Sequence, residues 1–471
     1  MQNDVIVKTF NTYKHKYAYD RHTNAIIVLT EDEHDELHRV EMGELSPDQS
    51  QVIVHYNGYG MFLPNVIEKI EHADTEIIEH YLTTRIQHLT LQVTQQCNLR
   101  CEYCTYSGIY SGHRMHSNLN MSFETAKKAI DFLLERSNEL AEVILAFYGG
   151  EPLLDFDLIK RCVEYAKSQI EGKSLRFMMT TNGTLLTDSV VDFLVDNDFS
   201  LVISMDGSKE EHDRSRKFPN GGGTFDIIIK NIKAIRDRYP EYDRKISIAT
   251  TINPHMDLSC VLEYFTTDEV FSDKNIMFND MIDRDYQGEL SYDRDYYRIR
   301  NFEYIKMLFS LIGKLDRKYV SPLVSRAEGL IEQKRKSIAN HTELFPKLHH
   351  GGPCHPGTHR PFVRVDGAIL PCERVNEAFD YFVIGNLDDG YDIEKIKPIL
   401  NIGKLTENKC KSCWGIRQCM LCAAQMEFDS YPSAEDKLKL CPNCLYYAIT
   451  DLHELCVLNE FGYDVEGITV Q

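Results

Sequence analysis

From Leu89 onward the chain alternates short apolar runs with stretches in which apolar residues return every three or four positions. The runs HLTLQVT, EVILAFYG, LRFMMTTNG, LVISMDG, KISIATTIN and IMFNDMI read as strands. The stretches between them read as amphipathic helices. In SFETAKKAIDFLLERS, for instance, Ala126, Ile130, Leu133 and Leu134 make one stripe. Strand and helix in strict alternation is the pattern of βα units and a parallel sheet, and six units predict an α/β fold built on a partial (β/α)6 barrel. Such barrels place chemistry on the loops that leave the carboxyl ends of their strands.

Three further segments frame this one. Residues 1–85 predict a small α+β unit, with strands in VIVKTFN, KYAYD and AIIVLT, then helical EDEHDELHRV and DQSQVIVHY, closed by the turn cluster YNGYG. The barrel occupies 86–283. Residues 284–350 are charged and helical, as in NFEYIKMLFSLIGKLDRKY, and are read as a connector that completes the barrel's flank. From 351 to 471 cysteines crowd together and mark a last unit. No repeat of solenoid period is present.

Composition narrows the function. At 471 residues and 43% hydrophobic, the chain has apolar material for two or three cores, and a formal charge of -20 repels a phosphate backbone, so nucleic acid is excluded as a partner. No basic leader precedes an apolar stretch and no apolar run is long enough to span a bilayer, so the expectation is a cytoplasmic protein with no membrane partner. Fourteen cysteines in a large chain of that compartment point to metal ligation rather than disulfides. A nucleophilic hydrolase is disfavoured because no Gly-x-Ser-x-Gly elbow occurs.

The loop after the first barrel strand carries Cys97, Cys101 and Cys104 within eight residues. Structural zinc asks for four protein ligands, whereas three thiolates on a 4Fe-4S cluster leave one iron open to a small molecule. The Cys-x3-Cys-x2-Cys spacing, with aromatic Tyr103 before the last cysteine, resembles the cluster-binding loop of the radical S-adenosylmethionine superfamily. Gly149-Gly150-Glu151-Pro152, at the end of the second strand, is similar to that family's GGEP motif. The resemblance implies that these four residues meet the methionyl amino group, for which Glu151 offers a carboxylate. It further implies that Asn182, Ser204 and Asp206, at the ends of the third and fourth strands, contact the carboxylate and ribose. Arg216 would reach the same ligand and Tyr103 would lie near the adenine. Asn-Gly and Asp-Gly are also generic turn signals.

In the last unit Cys354-x12-Gly367-x4-Cys372 is followed by Cys410-x2-Cys413-x5-Cys419-x2-Cys422 and then by Cys441 and Cys444. Two CxxC pairs taken alone also suit a zinc knuckle. Beside a radical barrel the pattern resembles the SPASM extension, which holds two auxiliary 4Fe-4S clusters, three clusters in all. By that resemblance Cys354, Cys372 and Cys422 hold the first auxiliary cluster, and Cys410, Cys413, Cys419 and Cys441 the second. The chain has two residues between Cys419 and Cys422 where the family has three. Two ways to complete the first cluster stay open: Cys444, or an iron left free for a substrate thiolate. Cys162, Cys260 and Cys456 stand apart and are read as core packing.

The N-terminal unit resembles the PqqD-like, winged-helix-like domain that recognises precursor leader peptides, and a leader can add as a strand to an open sheet edge. The whole chain is similar to the SCIFF or ranthipeptide maturases, of sactipeptide type. That resemblance implies an enzyme in which cluster-bound S-adenosylmethionine yields a 5'-deoxyadenosyl radical, a hydrogen leaves an acceptor carbon, and a cysteine sulfur of a ribosomally made precursor bonds to that carbon as a thioether. The implied partners are a cysteine-rich precursor with a leader and a flavodoxin- or ferredoxin-type reductant. The alternatives are another radical modification, a carbon–carbon cross-link or formylglycine, and a non-catalytic iron–sulfur or zinc scaffold.

Overall fold

The computed structural model describes residues 4–340 and 342–469. At the N-terminus β1 (Val7–Asn11), β2 (Lys16–Asp20) and β3 (Ala25–Leu29) form an antiparallel meander. The helix Glu31–Glu41 follows at once, started by a capping box in which Thr30 and Glu33 satisfy each other's backbone amides. One face of the sheet packs Ala18, Ile27 and Leu29 against Leu37, Val40 and Ile53 of the following helices.

Both edges of this sheet are engaged. On β1 the outward amide of Thr9 donates to Glu41 Oε2 at 2.8 Å. Beyond β3, the short β16 described below pairs in parallel. The outer side of β3 is thus taken by β16, and β1 stays the edge strand, tied to the following helix at Thr9.

After β4 (Lys69–Ile70), six strands run parallel in sequence order: β5 (His88–Thr94), β6 (Glu142–Gly149), β7 (Ser174–Thr181), β8 (Ser200–Ser204), β9 (Ser247–Ile252) and β10 (Asn275–Asp280). These match the six runs read from the sequence, and the fold is the expected partial α/β barrel. Leu89, Leu91 and Val93 of β5 pack outward with Leu145 and Phe147 of β6 on Ala126, Ala129, Ile130 and Leu133 of the helix Phe123–Glu135. Truncating a buried leucine such as Leu133 would cost ~2–5 kcal/mol. The alternate positions of β5, Thr90, Gln92 and Thr94, are buried on the other side. A barrel core filled for stability would use branched apolar residues there; a polar lining marks a site.

The connector departs from the expected flank. Leu323 joins the barrel core, but Val324, Ile331 and Ile338 pack with Phe10, Tyr17, Tyr19 and Ile26 of the N-terminal sheet and with Leu452, Leu455 and Cys456 of the long helix Ala434–Glu460. Apolar faces of three segments distant in sequence meet there. Such a meeting is invisible to local periodicity.

The cysteine-rich unit grows out of the barrel's own sheet. β11 (Lys347–Leu348) pairs with β4. β12 (Phe362–Val363) pairs in parallel with β5, and then forms a hairpin with β13 (Ala368–Leu370) through Asp366-Gly367, where Gly367 takes φ +85°. β14 (Gly385–Asn386) and β15 (Gly390–Tyr391) extend the same sheet, and β16 (Ile468–Thr469) is the strand on β3. Among the described residues no helix is long and apolar enough to cross a membrane.

Candidate active site

The loop carrying Cys97, Cys101 and Cys104 leaves the carboxyl end of β5 and is fixed by its backbone. Arg100 N–H donates to Lys217 carbonyl at 2.7 Å and Glu102 N–H to Ser215 carbonyl at 3.0 Å. The end of β6 closes over it. A Cβ on Gly149 would stand 2.2 Å from Thr94 carbonyl oxygen, and one on Gly150 would stand 1.9 Å from that of Gln96. These glycines let two backbones touch, and so seat the cysteine loop.

The three thiols are not in disulfides. Leu99 N–H points at Cys97 Sγ and Tyr106 N–H at Cys104 Sγ, both at 3.4 Å. Burial pushes the Cys97 thiol up to about 11 and the Cys101 thiol up to about 12. Three half-buried thiols on one loop, with amides already aimed at two sulfurs, suit a bound iron–sulfur cluster better than free thiols.

Glu151 lies buried beside that loop. Its carboxylate accepts from Thr181 hydroxyl at 2.7 Å, Asn182 N–H at 2.7 Å and Leu153 N–H at 3.1 Å. Burial nevertheless pushes its carboxyl up to about 7, because among the described residues no cation pairs with it. A carboxylate with one lone-pair site left and no counter-charge fits a ligand ammonium. Asn182 bridges to the cysteine loop, donating to Asn98 Oδ1 at 2.8 Å. Ser204 ends β8, half-buried at the same mouth.

Asp206 departs from the expectation. It is fully buried, and its two oxygens accept from Arg216 Nε at 2.9 Å, Arg216 Nη2 at 3.2 Å, Thr251 N–H at 3.0 Å and the Tyr103 hydroxyl. Four donors saturate a carboxylate. Asp206 therefore holds Tyr103 and Arg216 in place and has no capacity left to meet the ribose or carboxylate itself.

The later cysteines divide into two groups. Cys354, Cys372 and Cys422 lie within electrostatic reach of one another. Cys410, Cys413, Cys419 and Cys441 form the second group, and Cys444 stands with them: its nearness lowers the Cys419 thiol, and it neighbours Cys441. Of the two ways left open to complete the first cluster, ligation by Cys444 is the one this placement disfavours, since Cys444 lies with the second group. Of the three cysteines read as packing, Cys162 and Cys456 are buried, but Cys260 is exposed on the helix Leu258–Thr267. Its neighbours Val261 and Leu262 face the core instead.

Between the barrel loop and the three-cysteine group lies a polar lining that motif reading missed. Gln92 donates to Glu377 Oε2 at 2.7 Å, Glu377 pairs with Arg114 Nε at 2.8 Å, and Arg114 stacks over the Tyr106 ring at 3.5 Å. Tyr148 of β6 is within reach of Cys104, Arg360 and Glu377, and Arg360 in turn of Cys354 and Cys372. The available signal was Gln92, a buried amide inside an apolar strand.

Residues 91–263 match the model of the Radical SAM superfamily. The chain carries a radical SAM domain. S-adenosylmethionine and 4Fe-4S clusters are the cofactors that this domain type and these thiol groups call for. The chain is 31% identical over 194 residues to an uncharacterized protein of Methanocaldococcus jannaschii, MJ0907, covering 41% of the chain and 62% of that protein. The chain is also 25% identical to a cysteine-type anaerobic sulfatase-maturating enzyme of Clostridium perfringens, over 69% of the chain and 84% of the enzyme. In fold it resembles the solved structure of native anSMEcpe with bound AdoMet, at TM-score 0.57 and 22% identity, over 79% of this chain and 99% of the other.

Proposed function

We propose that the protein is a radical S-adenosylmethionine peptide maturase that joins a cysteine sulfur of a precursor peptide to a carbon of another residue as a thioether. S-adenosylmethionine bound to a 4Fe-4S cluster supplies one-electron removal of a hydrogen atom, and auxiliary clusters supply an acceptor for the remaining electron. Cys97, Cys101 and Cys104 would hold the first cluster. Glu151 would receive the cofactor's ammonium, and Arg216, oriented by Asp206, would present its remaining N–H groups to the cofactor's acidic end.

The observation that carries the reading is the grouping of Cys354, Cys372 and Cys422 without Cys444. Cys354, Cys372 and Cys422 would hold a cluster with one place left for a thiolate from outside, and such ligation would keep a peptide cysteine deprotonated and positioned. Tyr148, Arg360 and the Arg114–Glu377 pair line the space between that place and the barrel loop. They exclude water and bound the peptide. The thiol proton leaves to solvent or to a lining base, the acceptor carbon gives up one hydrogen atom, and the peptide loses two hydrogens per bond formed.

A second reading, oxidation of a protein cysteine to formylglycine, is favoured by the likeness to the Clostridium perfringens enzyme. One incubation separates the two. The anaerobically reconstituted, reduced protein is mixed with S-adenosylmethionine and a cysteine-rich peptide, and the peptide is weighed. Loss of two hydrogens with sulfur retained and the cysteine no longer alkylated supports the thioether. Loss of sulfur with gain of an aldehyde supports formylglycine. Absence of 5'-deoxyadenosine from a fully iron-loaded sample defeats both. The N-terminal sheet is assigned to leader recognition, a cytoplasmic flavodoxin or ferredoxin to electron supply.

A further inference from the structure

The helix Ala434–Glu460 opens with a capping box between Ser433 and Asp436, and its next residue is a lysine that the fold buries. Lys437 is 2% exposed. Its Nζ donates to Thr406 Oγ1 at 2.6 Å and to Cys410 Sγ at 3.2 Å, and Thr406 Oγ1 is itself 3.3 Å from Cys410 Sγ. Because Thr406 accepts from the lysine, its own proton is free to point at the sulfur. Cys410 is thus met by two donors. One helical turn on, Cys441 donates to the Lys437 carbonyl at 3.6 Å, and Lys437 also acts electrostatically on Cys419 and Cys444.

A buried ammonium is retained only where a negative partner offsets its lost hydration. Among the described residues no carboxylate lies within ion-pair distance of Lys437; the groups it touches are a hydroxyl and a thiol. The negative charge that it faces is that of the second cysteine group once those sulfurs are thiolates. We infer that Lys437, relayed by Thr406, raises the reduction potential of the cluster held by Cys410, Cys413, Cys419 and Cys441. The inference rests on the reading that this group holds a cluster. Reduction adds one negative charge, and a fixed cation with an N–H···S bond to a ligand sulfur stabilises the reduced state more than the oxidised one. Lys437 is a positioning and tuning residue, since it touches a ligand and not the substrate.

The test is a potentiometric titration of the anaerobically reconstituted full chain, followed by electron paramagnetic resonance, with iron counted per chain. Lys437→Met is expected to shift one auxiliary signal to lower potential and leave the other signals where they were. Lys437→Arg should retain most of the native value, and Thr406→Val should shift the same signal in the same direction by less. If the methionine variant fails to load iron, Thr406→Val carries the test. Full iron with an unmoved potential in Thr406→Val, and in Lys437→Met where it loads, overturns the inference. The underlying reading fails separately: a Cys410→Ala/Cys413→Ala double variant that keeps the iron content and all signals of the parent shows that no cluster sits there.

Discussion

Arg216 forks onto Asp206 through Nε at 2.9 Å and Nη2 at 3.2 Å, both side chains buried at the end of β8. The pair is not a surface ornament. Tyr103, one residue before the last loop cysteine, hangs from the same carboxylate, so the geometry of the cysteine loop depends on it.

Asp206→Asn should therefore act on fold and site together. Removing one partner leaves a buried arginine uncompensated, at a cost of about 3–5 kcal/mol. Thermal unfolding of the iron-free protein should show a lower midpoint, and the reconstituted variant should bind S-adenosylmethionine more weakly by equilibrium dialysis. A variant with unchanged midpoint and affinity would show that Asp206 organises neither.

Glu151 gives a pH signature. Burial raises its carboxyl from 4.5 to about 7 in the folded chain, so the folded state holds the proton more tightly than the unfolded one. Stability from this group is fully present below pH 4.5 and is lost as pH rises through 7. The loss is about 3 kcal/mol at 1.36 kcal/mol per unit. Denaturant titrations of cofactor-free wild type and Glu151→Gln should diverge over that window, the wild type losing stability that the glutamine variant keeps. Parallel curves would remove the argument for an ammonium partner.

Gly150→Ala tests the seating of the cysteine loop. The new methyl would meet Gln96 carbonyl oxygen at 1.9 Å, and backbone on both sides leaves little room to yield. Overpacking of this kind costs ~1–3 kcal/mol or more. Iron bound to the first site should fall while the Cys354 and Cys410 groups keep theirs, read from iron content and from loss of the signal that responds to S-adenosylmethionine.

Glu377→Ala should destabilise more than Glu377→Gln. Alanine leaves Arg114 and Gln92 both without their buried partner, whereas glutamine keeps one acceptor oxygen for one of them. Chemical denaturation of the two variants gives the order. The reverse order would place Glu377 outside the lining.

The barrel was legible because its six strands are consecutive apolar runs, and because a loop must supply its three cysteines from neighbouring residues. The later cysteines were legible as ligands by their number and spacing. Their grouping was not, since Cys444 reaches Cys419 only through the turn of the helix Ala434–Glu460, which sets Cys441 and Cys444 toward the preceding loop. Asp206 read as a ligand contact because Asp-Gly motifs reveal nothing about which donors will fold onto the carboxylate. Gln92, Glu377 and Lys437 were passed over for a related reason. A single polar residue in an apolar stretch becomes meaningful only when its buried partner, here from a segment far along the chain, is known.

The most direct test of the central claim follows the hydrogen. Two versions of one cysteine-rich peptide are prepared, deuterated either at the cysteine β-carbons or at the α- and side-chain carbons of the other residues, and each is turned over with S-adenosylmethionine and reductant. The thioether account predicts deuterium in 5'-deoxyadenosine only from the second peptide, with tandem mass spectrometry locating sulfur on the carbon that lost it. Deuterium arriving from the cysteine β-carbon, with sulfur expelled, would contradict it.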